Sequence, residues 1–448
     1  MSLNKNQVRI WLLQNYFKNK SLYTISFIVH FDKPFNEYLF EKSIRFLMAT
    51  YPILNLNIEQ NKDGLPVKIR QKHNFSLIRH DKEHVNIVKL QNKCFDMEND
   101  LLFKIHVINN SKLLFVFSDL IIDGKSVHYF ITILEKIYNI FLEYKRPPVV
   151  RINSASPEKN KNQLEFWKEI LREKENCALK FPVNFQSTHF EEGRHYLKLK
   201  NEWFANLTST KFQFIQSLLF ILLYKYTKQP RIVIDTIMDV SAGTNQIGLF
   251  NNTGLIPYKF DEQKLHQLSY KLFLNKHKKL HLSILENRDI LLEDIVAQSD
   301  LTGLPNIRLH FEVKNTVNEI KLGETRVWSD YVENSANTIR QLLSFNFVEH
   351  ADTISGYIAY RKHCFTTEFI ETLAQDFTAL IELVLENPSI TLDKLTLQPE
   401  HVKNMCVSLN EKDIRLLSYK YAGKYPDINY QDFKNKLSVL HNNTYGSL

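Results

Sequence analysis

Cysteine is the first scarcity: Cys94, Cys177, Cys364 and Cys406 are the only four in 448 residues. They lie far apart, with no CxxC pair and no histidine at ligand spacing, which excludes a disulfide framework and a zinc site and fits reduced thiols in the cytoplasm. Glycine (11) and proline (13) are few, so long flexible linkers and low-complexity tracts are excluded. No apolar run reaches the roughly 18–20 residues that cross a bilayer. The longest, 212–224, is interrupted by Gln213, Gln216 and Ser217 and reads as a buried helix. Basic residues outnumber acidic ones to a net +8, but they are interleaved with acids, and the densest run, 276–279, is short. No helix-turn-helix, RRM or zinc-finger pattern accompanies them, so a nucleic-acid partner is not expected, and neither is a membrane. A mildly basic surface suits an acidic protein partner equally well.

What is abundant is large apolar side chains: 44% hydrophobic residues, with 31 Phe and 20 Tyr. That composition, over this length, predicts a globular chain with more than one core. Helical periodicity marks 7–17, 36–50 and 126–143, with strands at 23–31, 54–59, 66–70, 103–108 and 112–117. Asp63-Gly64 and Asn109-Asn110 are hairpin turns. Arg146-Pro147-Pro148 ends a helix and opens a polar linker through 162. The alternation then repeats, with helices at 163–175, 210–227, 263–286 and 368–386 and strands at 231–238, 255–260, 306–313, 342–350 and 353–360. Strands separated by helices in both halves predict two α/β lobes of similar size, 1–175 and 176–398, followed by a polar tail, 399–448.

Local motifs exclude several chemistries. Gly124-Lys125-Ser126 looks like the end of a phosphate loop, but the required earlier glycine is Asp119, so the backbone cannot wrap a phosphate. HExxH, GxSxG and GxGxxG are absent. Asp119 and Asp123 flank a strand-to-helix turn, and without further oxygen ligands nearby they predict no metal site. His128 sits one turn into the following helix, where a lone histidine is more often a packed or surface residue than a catalytic one.

Six segments in order resemble the condensation domains of nonribosomal peptide synthetases, a branch of the chloramphenicol acetyltransferase-like superfamily. They are Gln7-Val8-Arg9-Ile10-Trp11, Tyr51-Pro52-Ile53-Leu54, Asp63-Gly64-Leu65-Pro66, Phe95-Asp96, Leu164-Glu165-Phe166-Trp167 and, most specific, Ile247-Gly248-Leu249-Phe250-Asn251-Asn252-Thr253. The tail from Leu409 to Pro426 resembles the linker into an adenylation domain. The resemblance implies two sandwich lobes forming a V-shaped pseudo-dimer, with Gly248, Asn251, Asn252 and Thr253 at the tunnel between lobes. It implies no bound cofactor. The substrate arm is the phosphopantetheine of a partner carrier protein, and adenylation-domain proteins are further partners.

The family's active-site motif, His-His-x-x-x-Asp-Gly, reads here Ser118-Asp119-Leu120-Ile121-Ile122-Asp123-Gly124. Both histidines are missing, while Asp123 and Gly124 keep the structural half and Ser126 matches the family's serine. Thr50, Tyr51, Asn55 and Ser241 stand where the family tends to have Arg, His, Arg and Arg. Asp119, Ser118 and His128 are therefore the candidate catalytic residues, with Asp119 in the place of the second histidine. Two main readings follow from the resemblance: acyl or peptidyl transfer from a carrier thioester to an amine or hydroxyl by an altered mechanism, or an inactive module that binds or recruits carrier proteins or partner enzymes. Transfer from free acyl-CoA is a third. With the expected Arg partners gone, a buried Asp123 must be met by backbone N–H groups or by another basic side chain.

Overall fold

Leu-, Ile- and Phe-rich segments with period two or 3.6 become the strands and helices of a computed structural model. It describes residues 3–16, 23–62, 66–70, 73–80, 85–91, 95–144, 161–172, 177–181, 191–240, 246–299, 301–313, 319–330, 339, 341–350, 353–362, 364–395 and 397. In chain order the elements are α1 (Lys5–Tyr16), β1 (Thr24–Phe31), α2 (Glu37–Thr50), β2 (Leu56–Gln60), β3 (Pro66–Arg70), β4 (Ile78–His80), α3 (Ile87–Gln91), β5 (Phe103–Ile108), β6 (Lys112–Ser118) and α4 (Gly124–Tyr144). They continue with α5 (Lys161–Ile170), β7 (Glu192–Leu197), α6 (Lys211–Thr227), β8 (Arg231–Asp239), β9 (Asn251–Lys259), α7 (Tyr270–Glu286), α8 (Leu292–Gln298) and β10 (Ile307–Val313). The last are β11 (Glu319–Leu322), β12 (Thr325–Asp330), β13 (Leu343–Glu349), β14 (Ile354–Arg361) and α9 (Thr367–Glu386). The Asp63-Gly64 turn, most of the proposed linker, Ser241 and the tail beyond 397 lie outside the described residues.

The chain divides into two compact units. The first unites 1–158 with 239–252 and 315–337. Its sheet runs β11-β12-β1-β6-β5-β4, antiparallel except for β4 beside β5. Phe27, Phe103, Phe115 and Phe117 pack their rings in the core of this unit, Phe27 and Phe115 4.7 Å apart at their centroids, and Phe130 of α4 closes edge-on against Phe117 at 5.3 Å. Such offset and edge contacts suit the quadrupoles of large rings. Asn109 and Asn110 both take left-handed φ, as a tight turn between β5 and β6 needs.

The second unit holds 159–238, 253–314 and 338–448. Its sheet runs β7-β14-β13-β10-β8-β9, with β10 parallel to both β13 and β8. The central helix α6 is buried from Gln213 to Tyr224 and starts on a capping box, Thr210 with Gln213. Trp167 of α5 is buried and donates its indole N–H to the Asn287 carbonyl at 2.8 Å.

Lobe membership differs from the reading of 1–175 and 176–398. The hairpin β11–β12 joins the first unit because β12 pairs with β1, Val29 opposite Ser329 and Phe31 opposite Val327. A scan of periodicity along the chain cannot see a strand whose partner lies about 300 residues away. The helix expected over 263–286 is interrupted: a 3-10 turn at 262–267 precedes α7, whose N-cap Ser269 accepts from Leu272 N–H.

Candidate active-site loop

The loop between β6 and α4 is fixed from three sides of the first unit. Asp123 is the N-cap of α4: its carbonyl accepts the first helical bond from Val127, and its Oδ1 accepts from Ser126 N–H at 2.8 Å. The other oxygen, Oδ2, accepts from the backbone N–H groups of Phe250 (2.7 Å) and Asn251 (3.0 Å). In return Asp123 N–H and the Ser126 hydroxyl both donate to the Gly248 carbonyl, at 3.1 and 2.9 Å. From α1, Gln7 Nε2 donates to the Leu120 carbonyl (3.0 Å) and Asn6 Nδ2 to the Asn251 carbonyl (2.9 Å). One carboxylate thus ties the loop, the helix start and the segment 246–251 together.

Asp123 is buried, and the donors expected for a carboxylate without an arginine are backbone N–H groups. Burial pushes its carboxyl above the ordinary aspartate range, and the bonds from Ser126, Phe250 and Asn251 pull it part of the way back. Gly124, the first residue of α4, is exposed, and a Cβ there would meet nothing within 4 Å.

The chemical half of the motif is arranged differently. Ser118 is buried at the end of β6, and its hydroxyl oxygen accepts from Leu120 N–H at 3.3 Å. Asp119 is half-buried, held by its own N–H donating to the Tyr23 carbonyl at 2.9 Å. His128 is not packed: it is exposed on α4, because its position falls on the helix face opposite Phe130 and Leu134. Asn252 is buried at the start of β9, and Thr253, half-buried, belongs to the second unit's segment.

The positions where the resemblance implies Arg, His and Arg carry residues whose polar groups are used locally. Thr50 Oγ donates back to the Phe46 carbonyl (2.8 Å), and Asn55 Nδ2 to the Met48 carbonyl (2.7 Å). The Tyr51 hydroxyl meets that of Tyr129 at 3.0 Å. Burial, then the Tyr129 contact, raises the Tyr51 phenol well above its ordinary value. Sequence reasoning missed the Tyr51–Tyr129 pair and the clamps from Asn6 and Gln7. Gln7 was visible as a motif residue, but its target, a carbonyl 113 positions away, was not. Among the described residues no group of three or more His, Cys, Asp or Glu could hold a metal ion, and no helix is long and apolar enough to cross a membrane.

A family model for the condensation domain matches residues 1–406. The chain belongs to the condensation domain family. Gramicidin S synthase 2 of Brevibacillus brevis is 22% identical over 79% of the chain, and a bassianolide nonribosomal cyclodepsipeptide synthetase of Beauveria bassiana is 20% identical over 88%. The chain spans about a tenth of the length of these relatives, 9% and 14%. Among solved structures, the X-domain in complex with OxyB from teicoplanin biosynthesis superposes with a TM-score of 0.75 at 15% identity, covering 89% of this chain and 96% of that one. A starter condensation domain of rhizomide synthetase, solved with C8-CoA, gives 0.71 at 13%, covering 89% and 97%. The mixed α/β fold with its two six-stranded sheets is therefore the condensation-domain fold.

Proposed function

We propose that this condensation-family chain acts in nonribosomal peptide or related biosynthesis, transferring an acyl or peptidyl group from a thioester on a carrier protein's phosphopantetheine arm to an amine or hydroxyl. The observation that carries the reading is the intact clamp on Asp123, which uses a buried carboxylate to hold the loop in one shape. In the reaction the nucleophile attacks the thioester carbonyl, the C–S bond breaks, and the thiol leaves with a proton. A thioester is already activated, so holding the two reactants together supplies roughly 7–11 kcal/mol of the barrier reduction, more than the roughly 3–5.5 kcal/mol typical of a general base. Asp119, the one acidic side chain among the loop's first two motif positions, is the base in this scheme, taking the proton of the nucleophile.

The test is turnover of a thioester on a reconstituted carrier protein. Asp119→Ala lowers the rate about 10²-fold or more, the usual worth of a general base, and leaves carrier binding intact. Wild-type turnover by an Asp119→Ala, His128→Ala double variant removes both residues as bases and leaves positioning alone.

A second reading, a recruiting module without turnover, is favoured by the local satisfaction of Thr50, Tyr51 and Asn55 and by the Ser118 hydroxyl turned to Leu120 N–H. The teicoplanin X-domain, of like fold, is found in complex with OxyB. For this chain the corresponding outcome is partner binding with no product from the wild type, and no effect of Asp119→Ala.

A further inference from the structure

The helical layer of the second unit carries its surface charge in two separate blocks. The buried helix α6 has α7 and α9 packed against it, with His277 of α7 beside Phe220 and Phe369 of α9 beside Tyr226. Through Phe273, α7 meets Tyr258 of the edge strand β9, while α9 covers β7 and β14 at the opposite edge of the sheet. Each of these two helices turns an apolar face inward and leaves its other face exposed. On α7 that outer face is basic: Lys271, Leu272, Lys276, Lys279 and Leu282 recur along it, and Glu286 in the last turn is the helix's one acidic residue. On α9 it is acidic: Glu368, Glu371, Glu382 and Glu386 lie along it, and the helix has no Lys or Arg.

Like charges three or four apart on one helix face repel, and mixed signs at that spacing would stabilise the helix instead. Lys276 and Lys279, Glu368 and Glu371, and Glu382 and Glu386 all break that rule. Part of each block is used within the chain. Lys278 donates to the Thr208 carbonyl at 2.6 Å, and Lys276 acts on Asp261, which Lys264 already pairs at 2.9 Å. Glu382 is paired with Lys200 at 2.7 Å, and Glu368 is bound at the start of its own helix. The side chains of Lys271, Lys279, Glu371 and Glu386 form no hydrogen bond or ion pair among the described residues. A membrane does not answer this surface. Leu272 and Leu282, 45% and 53% exposed, stand ten residues apart instead of forming an apolar stripe, and the acidic block on the same layer repels anionic lipid. What does answer it is the same surface on a second molecule, where each block meets its opposite. At net +8 two copies repel overall, so the segregated blocks must supply the attraction, and they allow it in one orientation.

We propose that α7 and α9 form a self-association surface, on which α7 of each copy lies against α9 of the other in a two-fold dimer. A two-fold axis makes every contact reciprocal, so both blocks of each molecule are used. The exposed Leu272, Leu282 and Leu383 supply apolar contact between the charged rows. This surface stands independently of the acyl-transfer reading.

The test is sedimentation equilibrium of the whole chain. At about 0.05 M NaCl the wild type passes from monomer to dimer as its concentration rises, and at about 0.5 M the dimer weakens ten-fold or more, because exposed charges are screened. The Lys276→Glu, Lys279→Glu variant weakens the dimer about ten-fold or more, and so does Glu371→Lys, Glu386→Lys, since each disrupts its exposed pairs twice across the axis. Mixed in equal amounts, the two variants associate with wild-type strength, and the chain carrying all four substitutions dimerises by itself. All four positions are exposed, and recovery in the mixture shows that the variants are folded. A wild type that stays monomeric at every concentration overturns the proposal, as does a dimer indifferent to both pairs of substitutions. Association lost in the lysine variant but kept in the glutamate variant sets some other acidic surface opposite α7 and overturns the pairing with α9. A mixture that remains monomeric does the same.

Discussion

Removing the Asp123 carboxylate should loosen three segments at once. Asp123→Ala strands three backbone N–H groups, those of Ser126, Phe250 and Asn251, which now donate at 2.8, 2.7 and 3.0 Å. A buried donor left without a partner costs about 1–3 kcal/mol, and the Ser126 bond is also the N-cap of α4. Part of that loss is offset, because burying a carboxylate whose pKa is raised is itself unfavourable in the wild type. The net expectation is a loss of about 3–5 kcal/mol. Asp123→Asn keeps one oxygen for Phe250 and Asn251 but points its NH₂ at Ser126 N–H, so it should lose about 2 kcal/mol, the order of one bond and one donor–donor clash. The pH dependence has a definite sign. A carboxyl whose folded pKa is raised contributes most below its unfolded value, near 3.9, and the contribution falls as pH rises through the folded pKa. The advantage of wild type over Asp123→Asn should therefore be larger at pH 4 than at pH 7. Urea denaturation at both pH values, with amide hydrogen exchange at Phe250 and Asn251, reads both effects. An Asp123→Ala variant within 1 kcal/mol of wild type and with unchanged exchange at those amides would refute the clamp.

Acid should act on the second unit through α7. Burial pushes His277, bonded to Gln216 at 2.7 Å among Phe220, Tyr258 and Phe273, down to about 3, and His281, against Phe212, down to about 4. Both pKa values lie below the unfolded 6.5, so their contribution is complete above that value and is lost as pH falls toward them. At pH 5 each costs about 2 kcal/mol, and a His277→Gln, His281→Leu double variant should flatten the fall in urea midpoint between pH 7 and 5. A slope equal to that of wild type would show that other groups drive acid unfolding. Two glycines should respond oppositely to alanine. Gly124→Ala adds a Cβ into open space on a helix start and should leave thermal stability unchanged or raised by under 1 kcal/mol. Gly193→Ala drives its Cβ to within 2.4 Å of the Tyr360 ring and should cost about 1–3 kcal/mol. Calorimetric melting of the pair checks both, and equal shifts would contradict the packing described.

Much of the fold was legible because its signals are local. The strands at 66–70 and 103–108 match β3 and β5 at both ends, and Thr210 caps α6 one residue before its first turn. The order of six short motifs also marks the family. Other elements were missed for physical reasons. The strand β7 is a short polar edge with a glycine, and β11–β12 alternate over only four and six residues. The turn between them, Gly323-Glu324 with Gly323 at φ +66°, was a hairpin signal that periodicity alone passed over.

The sequence by itself set the candidates for chemistry, Asp119, Ser118 and His128, because both histidines of the family motif are absent from the loop. Tertiary structure decided what they can reach. His128 is exposed because helix phase, not residue type, sets its direction, and Ser118 is turned inward by a bond to Leu120 N–H. Asp123 finds its donors 127 and 128 residues away, and β12 finds β1 across about two thirds of the chain, with Val29 opposite Ser329. Hydrogen bonds between such distant segments leave no periodic trace, because neither partner's local pattern depends on the other. The same holds across the second unit's sheet, where only the register of β10, β13, β14 and β7 aligns His310, Asn346, Tyr357 and Tyr196, one on each strand.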